Sequence, residues 1–270
     1  MIIDGRQIAE QVLENVWGRV VSKELKLKLA VVLVGENPEF KKFVELKGKV
    51  AEKIGVGFLI RQFPENIKTV DLKEEVRKIS SESDGVLIEL PLPGHIDTQA
   101  VLNEIPLEKD VDVLSEEAQS LFYNNKSKIL PPAVEAVKIV LEKYKIELKG
   151  KKASIFGQGL LVGKPLSHWL ETQEAEVVRI EEFTEDPEQY SKEADIIVSG
   201  VGKTDLIKAD MVKKGAVVFD FGYENEKGKM VGDVDFESAA PKASLITPVP
   251  GGMGPIVVAV VLKNMIALNS

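Results

Sequence analysis

The chain alternates short apolar segments, most of them ending at Gly or Pro, with helical segments of about ten or more residues. In the first half the apolar segments include LKLAVVLVG, which ends at Gly35, and DGVLIEL at Asp84–Leu90. In the second half they are KASIF, EVVRI, ADIIVSG, GAVVFDFG and SLITPVPGG. Strands separated by helices in this way predict βαβ units and parallel sheets. The sequence therefore predicts an α/β protein.

The polar segment Asn124–Pro132, which ends in two prolines, separates two such alternating halves. We expect a first domain at residues 1–132 and a Rossmann-like nucleotide-binding domain, with a mainly parallel sheet, at 133–254. The last helical pattern, at 255–270, is expected to pack back on the first domain. Two βα domains joined in this way would leave a cleft, where ligands usually bind.

Charge and composition exclude several classes of partner. The formal net charge is −8, so no broad basic surface is available for nucleic acid or anionic membranes. No apolar run approaches the roughly 18 residues of a membrane span. The chain has no cysteine and only two histidines, and no metal-ligand spacing appears. We expect a cytoplasmic protein without a metal site.

A helix is expected to start at Asn37-Pro38, because Asn is a good N-cap and Pro suits the first helical position. Its apolar face would contain Phe40, Phe43, Val44, Lys47, Val50, Ala51 and Ile54, so Lys47 alone interrupts that face. Lys41, Lys42 and Lys49 point elsewhere. Lys47 could extend its ammonium to water from the edge of the core, or it could be an acid/base group in a cleft.

Three glycines, Gly157, Gly159 and Gly163, follow a predicted strand and open a helix. This is the context of a dinucleotide-binding turn, in which backbone approaches a pyrophosphate at a helix N-terminus. The same glycines would also suit close packing of a helix on a strand. Gly200 and Gly202 follow one later strand and Gly222 another, so we expect them to line the same crevice.

Six segments carry a family resemblance. In chain order they are DGVLIELPLP, EKDVDVL, GQGLLVGKPL, GAVVFDFG, GDVDF and ITPVPGGMGP. Together they resemble the methylenetetrahydrofolate dehydrogenase/cyclohydrolase family, the bifunctional FolD proteins, over essentially the whole chain. The resemblance implies oxidation of 5,10-methylenetetrahydrofolate with a nicotinamide cofactor and hydrolysis of the 5,10-methenyl product to 10-formyltetrahydrofolate. It also implies a homodimer.

The resemblance assigns roles to residues of the first domain and of the PVPGG segment. Lys47 matches the family's acid/base lysine, and Asp112 matches the aspartate that holds the pterin. The further substrate-binding positions are Phe43, Pro91, Pro248, Gly251, Gly252 and Pro255. Asp112 could instead cap the helix that follows it.

The chain departs from the family pattern at three places. Phe43 replaces the usual tyrosine and keeps a ring without the hydroxyl. Glu89 replaces the usual glutamine beside the lysine, and an ionised Glu89 would stabilise the charged form of Lys47, whereas burial would destabilise it. The usual threonine and proline are missing from PPAVEA at 131–136. These departures leave open a monofunctional dehydrogenase, or a catalytically silent scaffold that binds nucleotide or folate.

The cofactor could be NADP or NAD, and the residues favour NAD. Gln158 follows the first glycine, where relatives that use NADP often have arginine. Glu181 and Glu182 follow the second strand of the nucleotide domain, where a carboxylate would bind a ribose 2′-hydroxyl and repel a 2′-phosphate. Arg179 could oppose this preference. The two glutamates could also be an ordinary solvated loop.

Overall fold

The computed structural model describes residues 1–226 and 228–270. The chain divides into two compact units. The first unit contains residues 10–132 and 258–270, and the second contains residues 1–9 and 133–257. Among the described residues, no helix is long and apolar enough to cross a membrane.

The first half of the chain forms three strands and five α-helices. In chain order these are α1 Gly5–Ser22, β1 Lys28–Val34, α2 Pro38–Lys53, β2 Gly57–Phe63, α3 Thr69–Ser81, β3 Gly85–Ile88, α4 Thr98–Leu102 and α5 Glu116–Tyr123. A short 3-10 helix at Leu107–Lys109 lies between α4 and α5.

The sheet of the first unit has the order β2-β1-β3, and all of its pairs are parallel. The central strand β1 is buried from Leu29 to Val34, as a strand covered on both faces should be. Helix α2 begins at the predicted cap, where the Asn37 side chain accepts a hydrogen bond from Glu39 N at 2.8 Å. A Cβ atom at Gly48 would lie 2.8 Å from the ring of Phe58, so glycine lets α2 pack closely on β2.

The second half of the chain continues the alternation. Its elements are α6 Pro132–Tyr144, β4 Lys152–Phe156, α7 Gly163–Thr172, β5 Glu176–Ile180, α8 Pro187–Glu193, β6 Ile196–Ser199, β7 Val217–Asp220, β8 Glu224–Glu226, β9 Lys229–Val231, α9 Phe236–Ala239, β10 Leu245–Ile246 and α10 Met253–Leu268. A 3-10 helix lies at Ala209–Met211, and β8 and β9 form a small antiparallel hairpin.

The five-stranded sheet of the second unit is parallel, in the order β10-β7-β6-β4-β5. Read from its other edge, this is the doubly wound order 2-1-3-4-5, with β4 as the first strand. The order reverses between β4 and β6, and ligands of such sheets bind beyond the carboxyl ends of the strands at that point. The predicted α/β class with parallel sheets and a Rossmann-like second half is confirmed.

The two ends of the chain belong to different units. Residues 1–9 were expected in the first domain, but they belong to the second unit. Ile3 N donates to Ile246 O at 2.9 Å, and Ile246 N donates to Met1 O at 3.1 Å, so the N-terminus pairs beside β10. At the other end, Val261, Leu262, Met265 and Ile266 of α10 belong to the core of the first unit.

Candidate active site

Lys47 of α2 forms an ion pair with Glu89, which directly follows β3. The two side chains are 16% and 11% exposed, so both charges are largely removed from water. Glu89 is fixed by the sheet, because its backbone N donates to Val32 O at 2.9 Å. The ammonium of Lys47 therefore meets a carboxylate at the end of a strand and is not simply extended into bulk water.

The other lysines of α2 differ from Lys47. Lys42 and Lys49 are exposed and Lys41 is half-buried, and the chain around Lys47 explains the contrast. Val44, Gly48 and Ala51 on the same face are buried against the sheet. The predicted interruption of the apolar face at Lys47 is therefore a charge held at the border of the core.

Asp112 is the second titratable group of this region. Its side chain is half-buried, and burial raises the pKa of its carboxyl to about 7. The Lys47 ammonium opposes this shift, whereas the charges of Asp110 and Glu89 add to it. A carboxyl that changes charge near neutral pH beside an ion pair is the kind of group found at functional sites.

The loop that carries Asp112 is anchored by Asp110, a residue that sequence reasoning missed. The buried Asp110 carboxylate accepts hydrogen bonds from Leu114 N at 3.0 Å, Ser115 N at 2.7 Å and Ser115 Oγ at 2.7 Å. Ser115 in turn caps α5, since Ala118 N donates to its hydroxyl. The capping role that was an alternative for Asp112 is thus filled by Ser115.

Two further substrate-binding candidates lie in the first unit. Phe43 is half-buried one helical turn before Lys47, and Pro91 is exposed two residues after Glu89. Phe43 is on α2, as Lys47 is, and Pro91 is on the segment that follows β3.

The glycine turn of the second unit has the features that a dinucleotide requires. Gly157, with φ of +82°, turns the chain at the end of β4. A Cβ atom at Gly163 would lie 1.8 Å from Gly157 O, so α7 can start this close to the turn only at a glycine. A Cβ atom at Gly159 would meet nothing within 4 Å. The chain itself therefore does not need glycine at position 159, but the approach of a phosphate to the backbone would.

The neighbouring strand β6 ends beside the glycine turn. A Cβ atom at Gly157 would lie 3.4 Å from Gly200 O, and Gly202 has φ of +75°. These glycines meet at the reversal point between β4 and β6, so the structure brings together the two predicted halves of a nucleotide crevice.

A buried carboxylate that the sequence did not reveal holds this crevice. Asp233 accepts hydrogen bonds from Ser199 Oγ at 2.6 Å, Val201 N at 2.8 Å and Lys203 N at 2.7 Å. It therefore fixes the turn that contains Gly200 and Gly202. The only signal in the sequence was the GDVDF motif, which does not say what its aspartates bind.

Asp220 fixes the adjoining segment at the end of β7. It accepts hydrogen bonds from the backbone N atoms of Gly222, Asp233 and Val234. Burial raises the pKa of Asp220 to about 6; the three N–H donors oppose the shift and the charge of Asp233 adds to it. A Cβ atom at Gly222 would lie 2.3 Å from the Asp233 carboxylate, so glycine is required there by this packing.

The residues that bear on cofactor preference lie beyond β4 and β5. The Gln158 side chain folds back, with Nε2 donating to Gly157 O at 3.0 Å and Oε1 accepting from Ser167 Oγ at 3.3 Å. Arg179 is paired with Glu171 at 2.8 Å. Glu181 and Glu182 are exposed.

The PVPGG segment forms a tight turn in the second unit. Gly251 has φ of +100°, and its carbonyl accepts a hydrogen bond from Gly5 N at 3.0 Å. A Cβ atom at Gly252 would lie 2.4 Å from Pro248 O. Pro248 and Pro255 are half-buried on either side of this turn. Among residues 1–226 and 228–270, no cluster of His, Asp and Glu side chains is arranged to hold a metal ion.

Two family models match the chain. Residues 3–112 match the catalytic domain of tetrahydrofolate dehydrogenase/cyclohydrolase. Residues 131–270 match the NAD(P)-binding domain of the same family.

Full-length relatives and solved structures agree with the family models. The bifunctional protein FolD of Hydrogenobaculum sp. is 39% identical, over 97% of this chain and 96% of its own length. The structure of the bifunctional FolD dehydrogenase/cyclohydrolase from Campylobacter jejuni has a TM-score of 0.94 at 34% identity, covering 100% of this chain and 98% of that one. A Trypanosoma brucei dehydrogenase-cyclohydrolase, solved with NADP and an inhibitor, has a TM-score of 0.94 at 30% identity, covering 99% and 96%.

Proposed function

The chain belongs to the tetrahydrofolate dehydrogenase/cyclohydrolase family, and we propose that it catalyses both reactions of that family. It oxidises 5,10-methylenetetrahydrofolate to the 5,10-methenyl cation with a nicotinamide cofactor, and it hydrolyses that cation to 10-formyltetrahydrofolate. The observation that carries the proposal is the Lys47–Glu89 pair close to a carboxyl, Asp112, whose pKa is about 7.

Asp112 binds the pterin in this proposal. The pterin edge offers an amino group and a ring N–H, and an ionised carboxylate accepts two parallel hydrogen bonds from such an edge. Asp110 holds the loop so that this carboxylate stays in place. Phe43 supplies an apolar ring near Lys47, which suits stacking on the planar folate.

The Lys47–Glu89 pair moves protons during hydrolysis. Water adds to the carbon of the methenyl cation, the tetrahedral adduct opens by cleavage of the bond to N5, and one proton is released overall. A lysine and a carboxylate in hydrogen-bond contact can accept the proton of the attacking water and return one to the departing nitrogen. Neither group is needed for hydride transfer, which depends on positioning and exclusion of water.

The glycine turn and the crevice between β4 and β6 fit a nicotinamide dinucleotide. The open space at Gly159 and the close approach of Gly163 leave backbone N–H groups of the α7 N-terminus for a pyrophosphate. A nicotinamide cofactor held there would supply the acceptor for the hydride of the methylene carbon. We assign the preference to NAD, because the uncharged Gln158 side chain is bonded to Gly157 O and Ser167 and the Arg179 guanidinium is paired with Glu171, so neither offers a free cation to a 2′-phosphate.

We further propose a cytoplasmic homodimer. Folates and nicotinamide dinucleotides are metabolites of the cell interior, which supports the location. The family resemblance implies a dimer through the nucleotide-binding half, and β5 is an edge strand with one side unpaired in the sheet, as pairing between copies would require. Sedimentation equilibrium measures the mass directly.

One experiment tests the two activities together. Purified protein is mixed with 5,10-methylenetetrahydrofolate and NAD, and the absorbance of reduced cofactor and of the methenyl cation are followed on the same sample. If the protein has both activities, reduced cofactor should form in stoichiometric amount. The methenyl absorbance should then be transient and should decay faster than it does without the protein. Accumulating methenyl would show a monofunctional dehydrogenase, and no reduced cofactor with either NAD or NADP would show a silent binding protein.

A further inference from the structure

Phe183 is an aromatic side chain that the fold leaves in solvent. It is 92% exposed, more than any other large hydrophobic side chain of the described residues. Single exposed hydrophobic residues are ordinary on protein surfaces, so exposure alone assigns nothing. The position of Phe183 in the sheet is what gives it a meaning.

Phe183 is held outward by a tight turn. Thr184 N donates to Glu181 O at 3.1 Å, and Glu181 N donates to the Thr184 hydroxyl at 2.9 Å. These two bonds close a four-residue turn with Glu182 and Phe183 as its central residues. The ring is therefore presented by a fixed backbone.

The turn lies next to the glycine turn of the nucleotide crevice. Strands β4 and β5 are parallel neighbours with Phe156 opposite Ile180, and Gly157 N donates to Ile180 O at 2.9 Å. The segment that begins at Glu181 thus leaves the sheet one strand away from Gly157. In doubly wound sheets the adenosine half of a dinucleotide extends from the glycine turn toward the end of the neighbouring strand.

The charges of this turn exclude one way of holding that adenosine. Residues 181–186 read EEFTED and contain four carboxylates and no basic side chain. A ribose 2′-phosphate would gain no cation there, whereas the face of an adenine ring can stack on an uncharged aromatic side chain whatever the surrounding charge.

From this arrangement we propose that Phe183 is the adenine platform of the cofactor site and that it supplies the affinity that a 2′-phosphate contact would otherwise give. The inference rests on the proposed use of a nicotinamide cofactor and names the residue that binds its adenine. Glu182, beside it in the same turn, faces the ribose 2′-hydroxyl. Phe183 binds cofactor and takes no part in the chemistry.

The test measures binding of ADP-ribose, which keeps the adenosine and pyrophosphate but lacks the nicotinamide, by titration calorimetry. Phe183→Ala should raise the Kd for ADP-ribose, and the KM for NAD, by about 5- to 30-fold, the usual effect of removing one stacked ring. Phe183→Trp should restore both. Trp17→Ala removes an exposed aromatic side chain of α1 and should change neither.

Two readouts separate stacking from a structural effect. Nicotinamide mononucleotide, which has no adenine, should bind wild type and Phe183→Ala equally. The Phe183→Trp variant should show quenching of tryptophan emission by ADP-ribose beyond that of wild type, but no such quenching by ribose 5-phosphate.

The outcomes distinguish this proposal from the one on which it rests. Equal ADP-ribose affinity of wild type and Phe183→Ala would overturn the platform while leaving cofactor use intact. A change in sedimentation without a change in affinity would overturn it too, and would make Phe183 a subunit contact. A wild type that binds none of NAD, NADP and ADP-ribose would overturn both proposals.

Discussion

Lys47 is the residue on which the hydrolytic activity depends in our proposal. Lys47→Met should reduce hydrolysis of the methenyl substrate by about 100-fold or more, the usual contribution of a general acid or base, and should leave NAD binding unchanged. Lys41→Met and Lys42→Met serve as matched controls on the same helix. Initial hydrolysis rates of the three variants at one pH decide the matter, and equal rates would contradict the assignment.

The Lys47 variant has a stability cost that needs its own control. Removing the ammonium leaves the Glu89 carboxylate, 11% exposed, without its partner, and an uncompensated charge near the core is destabilising. The double variant Lys47→Met/Glu89→Gln removes both charges and should recover most of the unfolding free energy without recovering hydrolysis. Recovery of both would show that the single variant had only lost its fold.

Asp112 should impose a pH dependence on folate binding. Because burial raises the pKa of its carboxyl to about 7, the ionised form that accepts two pterin hydrogen bonds predominates only above that pH. The kcat/KM for 5,10-methylenetetrahydrofolate should therefore fall as the pH is lowered through about 7. Asp112→Asn should show a low and nearly flat profile, and Asp71→Asn, on the exposed face of α3, should match wild type.

Glu89 offers an independent check of the same profile. Its charge is among the causes that raise the pKa of Asp112, after burial and the charge of Asp110, so Glu89→Gln should move the midpoint of the kcat/KM profile to lower pH. A profile centred near pH 4 in wild type, or one that Glu89→Gln leaves unmoved, would contradict this account of Asp112.

The sequence named Lys47, Glu89 and Asp112 as candidates, but it missed the buried anchors Asp110 and Asp233, for a physical reason. A lysine that interrupts an apolar helical face is visible in the pattern of one segment. Asp110 and Asp233 act by accepting backbone N–H groups, and their partners can be named only once the turns are folded. Phe183 was likewise invisible, because nothing in the local pattern says that its ring stays in solvent.

At the scale of elements, the loop between the 3-10 helix and α5 combines a strong anchor with a strained residue. Val113 has φ of +62°, a left-handed conformation that is unfavourable for a β-branched side chain, yet its side chain is buried. Asp110 holds this loop from within, and Asn264 Nδ2 donates to Val111 O at 3.0 Å. The strain is located directly beside Asp112.

Two substitutions of Val113 measure that strain. Val113→Ala and Val113→Gly both lose the buried side chain, but only glycine relieves the unfavourable φ. We therefore expect Val113→Gly to be more stable than Val113→Ala by about 1 kcal/mol in urea unfolding, the reverse of the usual order. An alanine variant that is the more stable of the two would show that the loop relaxes and stores no strain.

The turn after β5 determines cofactor preference in our proposal. NAD should give a kcat/KM at least as high as NADP, because the turn supplies carboxylates and Arg179 is paired with Glu171 at 2.8 Å. Glu182→Ser with Gln158→Arg should shift the ratio toward NADP by removing a negative charge and adding a cation. The same pair of assays on Glu185→Ser, farther along the turn, is the control.

A wild type that strongly prefers NADP would contradict the assignment of this turn, and so would a double variant without any shift. The sequence predicted that a strand ends just before the two glutamates, as β5 does, and left open whether they bind a ribose or form a solvated loop. It could not tell that Gln158 bonds to Gly157 O and Ser167, because that depends on how the glycine turn folds.

At the scale of the whole molecule, the strand and helix order was predictable because periodicity and the positions of Gly and Pro report on local structure. The placement of residues 1–9 was not. Residues 1–9 belong to the second unit through backbone pairing of Ile3 with Ile246, and the sequence carries no mark of a pairing between positions so far apart. The same limit applies to any contact made by backbone atoms alone.

Two carboxyls make the stability of the whole molecule depend on pH. The pKa of Asp112 is raised to about 7 and that of Asp220 to about 6, from an ordinary 3.8. The native protein therefore holds these protons more tightly than the unfolded chain, and the stability that they contribute is lost as the pH rises through 6 and 7. The hydrogen bond to Arg77 lowers the pKa of Glu104 from its ordinary 4.5. The stability that Glu104 contributes is therefore lost only as the pH falls below about 4.5, outside this range.

We expect the thermal midpoint to fall as the pH is raised from about 5 to 8. Each pKa unit of difference corresponds to about 1.4 kcal/mol, so the change should be easily measured. Repulsion among the surface charges, which sum to −8 at pH 7, lowers the midpoint in the same direction. Salt at about 0.5 M screens exposed charges much more than buried ones, so it should remove this part and leave the part due to the buried carboxyls. Asp112→Asn should reduce the remaining dependence to the part due to Asp220 and should be more stable than wild type at pH 8, although we expect it to bind folate poorly. Calorimetry at four pH values, with Asp71→Asn as the control, measures this. A midpoint that rises toward pH 8 would mean that these carboxyls ionise near their ordinary pKa, and the pH dependence expected for folate binding would fail with it.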